Sequence, residues 1–443
     1  MKYIILTAIL LGSTLSFAQV GMSARDAVLE ALEYNFNILT ANKRVQIAEK
    51  NNKWSEAGLF PTVSLSAGYN VALQDNSNNP LSFVQGSIVN ENLNPAVNMN
   101  WNLFSGLGIK ITKERLALLE NQSRGNLMSE IENISLEVLK AYYNILLQDE
   151  KLRVYKELLL FSKEQYNYYK LKEDYGQSNS LETFQFKNQF FSDSINVIQQ
   201  EINLKNAKRN LLVLINMPNL DLRNFELPKL QDSLTAQLSL LSKDEILNNL
   251  TENNQNLRNQ YIALELQEKM IDYQRSFLFP VVSLRASASP SWGRLRFTDD
   301  PSNLVNTEQV VYTGGINIQY NLFNNYKTKR AVEVAKIDAE ISALSYDQMK
   351  KEVENNSLQL FDQYALQNQL VDLSEQSMDY AQRAYDLGKT KFEQGIINSL
   401  DLQNLRNNYL NAALSYYEGL YNRMTVYLDI YKISGKLQLS YSN

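Results

Sequence analysis

The sequence predicts a mixed α and β membrane protein of two tandem structural repeats, whose transmembrane β-barrel is shared between chains and whose helical part is a long coiled coil. Three observations point there. Leu59-Phe60-Pro61 with Val63-Ser64-Leu65 recurs as Leu278-Phe279-Pro280 with Val282-Ser283-Leu284, 219 residues on, and the same offset joins Asn102-Leu103-Phe104 to Asn321-Leu322-Phe323 and Gly176 to Gly395. Four short segments alternate apolar and polar residues with a period of two. All eight prolines lie outside two long stretches, 96–217 and 302–443, which can therefore be helix almost throughout.

The chain begins with Lys2, an apolar run from Tyr3 to Leu11 and the small-residue site Ser16-Phe17-Ala18, the pattern of a secretory signal peptide over 1–18. The run is far shorter than the roughly 20 residues a spanning helix needs. The expected organisation is then a first repeat over 19–217, a linker over 218–241, a second repeat over 242–435 and a short tail over 436–443. Pro218, Pro228 and a Leu-rich remainder make that linker too apolar for a free tether, so it is expected to pack on the helices.

The strand pairs are read near 61–73 and 96–104, and near 281–292 and 311–322. Val63, Leu65, Ala67, Tyr69, Val71 and Leu73 alternate with Ser64, Ser66, Gly68, Asn70 and Ala72, and Val97, Met99, Trp101 and Leu103 alternate with asparagines. In the second repeat Val282, Leu284, Ala286, Ala288 and Trp292 alternate with Ser283, Arg285, Ser287, Ser289 and Ser291, and Ile316, Ile318, Tyr320 and Leu322 do the same. Roughly nine to eleven residues is the length that crosses a bilayer when tilted. Alternation alone favours a soluble, half-buried sheet. The export signal, the loops at 74–94 and 293–309 rich in Asn, Ser and Pro, and the aromatics Tyr69, Trp101, Trp292 and Tyr320 favour a membrane, with the apolar sets facing lipid. Four strands cannot close a barrel, and lipid does not tolerate an open sheet edge, so several chains must share one.

In the first long stretch Ile131, Val138, Ile145, Leu152, Leu159 and Tyr166 keep a seven-residue spacing, with Ile134, Ala141, Gln148, Tyr155, Ser162 and Tyr169 three residues after each. A helix from Lys110 to Tyr175 would span roughly 100 Å. Such a seam by itself favours a solid bundle core, and only the attached strands point to a tube.

The chain has no Cys and no His, which excludes thiolate nucleophiles, disulfides, Cys or His zinc sites and Ser-His-acid triads. Its net charge of −5 gives no footprint for nucleic acid, and it has no phosphate-binding GxxxxGK[ST] loop. No enzyme, cofactor or metal chemistry is expected.

Two further segments match at the common offset: Tyr175-Gly176 followed by Ser180-Leu181-Glu182, and Gln394-Gly395 followed by Ser399-Leu400-Asp401. With the duplicated halves, Phe-Pro before the first strand of each and Asn-Leu-Phe after the second, the whole mature chain resembles the TolC-type outer-membrane factors, exit ducts of tripartite efflux and type I secretion. The resemblance implies a homotrimer in the bacterial outer membrane, four strands per chain making a twelve-stranded barrel continuous with a periplasmic helical tunnel. It also implies a periplasmic adaptor docking at tips around Gly176, Leu181, Gly395 and Leu400, with an inner-membrane pump behind it. Asp401 and Glu182 would ring the narrow end as a periplasmic gate. In family members the second tip carries two acids three apart, where this chain has Asp401 and Asn404, with Glu182 and Gln185 in the first half, and a Tyr and Arg lock where it has Phe392 and Ile397. Both acids serve equally well as N-terminal helix acids. A stand-alone porin would share the barrel without needing such helices, and a secreted coiled-coil protein would leave the alternating strands unexplained.

Overall fold

The computed structural model describes residues 21–82, 86–217, 227, 229–235, 238, 242–298, 302 and 304–437. The signal peptide read at 1–18 lies outside the described residues, as do most of the linker and of the tail. The elements run α1 (Ala24–Tyr34), α2 (Phe36–Asn51), β1 (Thr62–Asp75), β2 (Ser87–Ser105), α3 (Gly108–Asp174), α4 (Ser180–Ile215), α5 (Lys243–Asn253), α6 (Gln255–Ser276), β3 (Val281–Phe297), β4 (Leu304–Gln319), α7 (Lys327–Glu393) and α8 (Ser399–Ile433).

The 219-residue offset governs the backbone closely. Both ends of α3 recur in α7. The Ser23 and Ser242 hydroxyls cap α1 and α5 by accepting the N–H groups of Asp26 and Glu245. Each helical arm is broken after one short helix at a buried asparagine, Asn35 or Asn254, whose extended backbone ends the helix. The two side chains donate to equivalent carbonyls near the ends of the return helices, Asn35 to Leu214 at 2.7 Å and Asn254 to Ile433 at 3.1 Å. At both strand-to-helix junctions two successive residues have positive φ, Gly106-Leu107 and Asn325-Tyr326. Gly106 is obligatory for a second reason, because a Cβ there would stand 2.1 Å from the Ser276 carbonyl oxygen.

The chain divides into two compact units. One comprises residues 42–126 and 256–349 and contains the whole sheet, an antiparallel meander in the order β1-β2-β3-β4. The β2–β3 pairing joins the hairpins of the two repeats. The strands are longer than alternation indicated, and they extend into both segments read as polar loops, over 74–75 and 87–94 in 74–94 and over 293–297 and 304–309 in 293–309. Asn and Pro look like turn formers in isolation, but a backbone ladder continues through them when flanking strands hold it. Pro95 and Pro290 occupy a lapse in the β2–β3 ladder between the pairs Leu93/Trp292 and Val97/Ala288, so neither missing N–H breaks a cross-strand bond there. Ser291 Oγ bridges that gap to Asn94 Oδ1 at 2.7 Å. β4 ends at Gln319, which leaves Tyr320 and Leu322 beyond the strand rather than in it.

The second unit holds the described residues up to 41, with 127–255 and those from 350 on. Its core is helical. Val138, Ile145 and Leu152 of the predicted seam are buried, as is Ile134, and they pack with Val197, Leu204 and Leu211 of α4; Ser162 is buried as well. In the linker, Leu234 is buried, Leu230 forms a parallel bridge with Met22, and Asp232 accepts the Ala24 N–H at 2.7 Å. No described helix is long and apolar enough to cross a membrane.

Glu132 of α3 is buried, and desolvation raises its carboxyl to about 7, partly offset by Lys432. A carboxyl with a raised folded-state pKa contributes most stability below pH 4.5, and that contribution is lost as pH rises through 7. Glu132→Gln, neutral throughout, should therefore match the parent at pH 4 and be more stable by about 1–3 kcal/mol at pH 8. Thermal unfolding at the two pH values checks this. An equal effect at both would show that ionisation of Glu132 is not the cause.

Candidate functional site

Two regions carry the candidate residues. At the tips, α3 and α7 end in the same hydrogen-bond pattern. Gly176 N–H donates to Glu173 O at 2.9 Å and Gln177 N–H to Lys172 O at 2.8 Å, while Gly395 N–H donates to Phe392 O and Ile396 N–H to Lys391 O, both at 2.9 Å. Gly176 and Gly395 take φ of 68° and 74°, the left-handed conformation that reverses the chain. Asn179 and Asn398 then cap α4 and α8, each side chain accepting the N–H of the residue three further on, Glu182 at 3.0 Å and Asp401 at 2.9 Å. Both acids thus lie in the first turn of a helix, where the dipole favours negative charge. The Glu182 carboxylate also accepts from Ser178 Oγ at 2.8 Å. Leu181 and Leu400 are strongly exposed, as are Gln185, Asp401 and Asn404.

The tips are joined side by side by a polar ladder between α4 and α8. Ser399 Oγ donates to Gln185 Oε1 at 3.4 Å and Gln403 Nε2 to Gln189 Oε1 at 2.9 Å, and one level further Arg406 forms a buried ion pair with Asp193. Beside it lies a cavity of about 170 Å³ bordered by Phe161, Ser162, Gln165, Gln189, Gln403 and Arg406, among others. Phe392, at the position of the family's Tyr, joins an aromatic cluster in which Tyr169 and Phe186 stack at 4.3 Å and Phe392 lies 6.0 and 5.9 Å from them. Ile397 packs on the same core.

The Asp193–Arg406 pair was not anticipated from the sequence, yet the signal was there. Leu402, Arg406, Tyr409, Ala413, Tyr416 and Leu420 alternate spacings of four and three along α8, and all are buried. Asp193 occupies the equivalent stripe of α4 between Phe186 and Val197. A lone charge in each of two apolar seams is a signature of pairing.

The second region is the sheet, whose two faces differ sharply. The register aligns Val63, Leu65, Ala67 and Tyr69 with Met99, Val97, Pro95 and Leu93. It carries the same face across Trp101, Leu284 and Ile316, and Phe104, Val282 and Ile318, to Trp292. A bulge between Asn102 and Phe104 puts Phe104, not Leu103, opposite Val282; Leu103 stands in the bulge, and strict alternation misplaced it. The Trp101 indole donates to Leu59 O at 2.7 Å and that of Trp292 to Glu308 Oε1 at 3.1 Å. From Val282 to Trp292 the apolar face runs roughly 33 Å along the strand, or roughly 25 Å in height at a usual barrel tilt. From the level of Trp292 charges enter this face: Glu308 stands opposite Trp292, and Glu91, Arg294 and Arg296 lie beyond it among Val71, Leu73, Val89 and Leu304, with Arg296 paired to Glu91 at 2.9 Å. The opposite face is mostly amides and hydroxyls with Arg285 among them, linked by contacts such as Ser287 to Thr313 at 2.6 Å and Asn92 to Asn90 at 2.7 Å. No group of His, Cys, Asp and Glu suited to a metal occurs among the described residues.

A four-stranded sheet with one membrane-height apolar face, set in a duplicated frame of very long helices, defines the class of outer-membrane channels with helical extensions. The chain belongs to the family described as Outer membrane efflux protein, whose profile matches twice, over residues 27–217 and 246–436. No curated protein matches the sequence. Among solved structures it is similar to the transmembrane channel CusC, with 16% identity, TM-score 0.73, and coverage of 93% of this chain and 92% of that one. It is likewise similar to the CmeC outer membrane channel of Campylobacter jejuni (16%, TM-score 0.75, 93% and 86% covered) and to the open state of the MtrE outer membrane channel of Neisseria gonorrhoeae (19%, TM-score 0.71, 94% and 89% covered). The fold is therefore that of these outer-membrane channels, and the family is one of outer-membrane efflux proteins.

The buried ion pair yields a stability test. Removing one partner strands a charge, so Asp193→Ala or Arg406→Ala should each destabilise by about 3–5 kcal/mol, whereas the apolar double variant Asp193→Leu with Arg406→Met should recover most of that. Denaturant midpoints of the solubilised protein check it. Equal losses in the single and double variants would show that the two charges are not coupled.

Proposed function

We propose that three copies of this chain close a twelve-stranded barrel and act as the passive exit duct of a tripartite efflux or type I secretion system. The observation that carries this reading is the isolated four-stranded meander, whose apolar face matches a bilayer while β1 and β4 present unpaired edges. In lipid such edges must find partners, and a neighbouring copy supplies them. The apolar set Val63, Leu65, Tyr69, Trp101, Val282, Leu284, Trp292 and Ile318 then faces lipid, and the amide face lines the lumen.

The helices support the same assembly. Phe184, Phe191, Ile195, Ile198 and Ile202 form an exposed seam on α4, and Leu366, Leu373, Tyr380 and Leu387 form another at seven-residue spacing on α7. Both are knobs without holes in a single copy, and a second copy would cover them. Exposed Leu181 and Leu400 beside the turn glycines suit docking of a periplasmic adaptor, with an inner-membrane pump beyond it. Three copies of Asp401 and Glu182 would set two carboxylate rings at the narrow end. With Asn404 and Gln185 in the next turn, each tip adds one layer of charge.

Co-purification tests the duct reading. The wild-type chain solubilised from outer membranes should carry a periplasmic adaptor with it, and Gly176→Val with Gly395→Val should lose the adaptor while keeping its oligomeric mass, because a Cβ strains only the turn. A double variant that still binds would remove the tips from docking. A wild-type oligomer that carries no adaptor would favour a stand-alone porin.

A further inference from the structure

The polar face of the sheet bears a single charge. In register order its residues are Thr62, Ser64, Ser66, Gly68, Asn70, Ala72 and Gln74 on β1, and a run of asparagines from Asn90 to Asn102, broken by Ala96, on β2. On β4 they are Thr, Gln, Asn, Val and Gly. On β3 they are Ser283, Arg285, Ser287, Ser289, Ser291 and Gly293, with Val281, Leu295 and Phe297 at the strand ends, so Arg285 is the one ionised side chain on that face of the four strands. Every Asp and Glu of the strands, Asp75, Glu91 and Glu308, belongs to the other face. No carboxylate on the polar face is there to pair with Arg285.

The site around Arg285 is open. The residue is exposed, and its cross-strand partners are Asn100 on one side and Gly315 on the other. A Cβ at Gly315 would meet nothing within 4 Å, so the guanidinium has free space beside it. An unpaired guanidinium is tolerated where water and mobile ions reach it, and not inside a packed interface. The neighbours are neutral hydrogen-bonding groups that can solvate a passing ion but do not compete for its charge.

We propose that Arg285 determines the charge preference of the barrel: three copies form a ring of positive charge in an otherwise neutral lumen, which concentrates anionic solutes. The inference rests on the trimeric reading above. Twelve strands spaced about 4.8 Å apart and tilted by about 40° enclose a lumen of roughly 12 Å backbone radius, which places each guanidinium within roughly 10 Å of the axis. At about 0.1 M salt, three such charges enrich a monovalent anion on the axis by about two-fold and deplete a cation equally. The effect grows with the charge of the solute and weakens as salt rises. It opposes in sign the carboxylates of the tips, so each residue's share is read from its own substitution.

Reversal potentials in planar bilayers under a KCl gradient test the inference, using wild type, R285Q, R285K and R285E purified as oligomers. The anion-to-cation permeability ratio should fall at least about two-fold in R285Q, fall further in R285E and stay near wild type in R285K, with differences shrinking at 1 M salt. Tripolyphosphate should slow the wild-type current at concentrations that leave R285Q unaffected. Equal ratios and equal block in all four proteins would overturn the assignment. A wild-type oligomer that forms no conducting pore would overturn the channel reading itself and the inference with it.

Discussion

A backbone amide in hydrocarbon has no water to bond to, and from this constraint most of the molecule follows. The chain supplies one meander of four strands whose inner pairs, β1–β2, β2–β3 and β3–β4, satisfy each other along nearly their whole length. The outer edges of β1 and β4 are left over. A polar, bulged or charged edge would protect a soluble sheet from association. Here the apolar face extends to both edges, through Leu65, Tyr69 and Val71 on β1 and Tyr312, Ile316 and Ile318 on β4, and all are strongly exposed in the single copy. Such a surface suits lipid over its face and leaves two open edges, which the proposed trimer would close with neighbouring copies.

The helical part solves a different problem with related means. Coiled-coil seams must be apolar to hold helices together, yet an all-apolar set of seams would not specify which helix meets which. The α4–α8 contact is fixed by a graded polar ladder, Gln185 with Ser399, Gln189 with Gln403 and Asp193 with Arg406, that matches only in one register. A buried ion pair adds little net stability because of its desolvation, but a slipped register would leave both charges unpaired. The aromatic cluster of Tyr169, Phe186 and Phe392 packs the same end without directional demands. Specificity and adhesion are thus carried by different side chains in adjacent layers.

What was legible in the sequence was whatever repeats. The 219-residue offset exposed both halves, the tip glycines and the strand starts, because duplication preserves spacing even where identity has drifted. The heptads of α3 were legible because the seam is regular. Features set by tertiary pairing were hidden. The extension of β2 down to Ser87 depends on β1 and β3 holding Asn-rich chain in a ladder, and local composition argued for a loop. The bulge that swaps Phe104 for Leu103 is one inserted residue, invisible to a period of two. The Asn35 and Asn254 breaks do obey the offset, but an asparagine within an amphipathic segment gives no sign that its amide will bond to a carbonyl 179 residues away.

The central claim is that β1 of one copy pairs with β4 of the next, and the absence of native cysteine makes it directly testable. One cysteine is placed at Tyr69 on β1 and a second is moved along β4 from Glu308 to Ile316, and each variant is oxidised in the outer membrane and resolved under denaturing conditions. The account predicts covalent dimers and trimers at two or three β4 positions on the apolar face, with the intervening positions silent because their side chains point the other way. Monomers at every position, from a protein of monomeric mass in detergent, would contradict it.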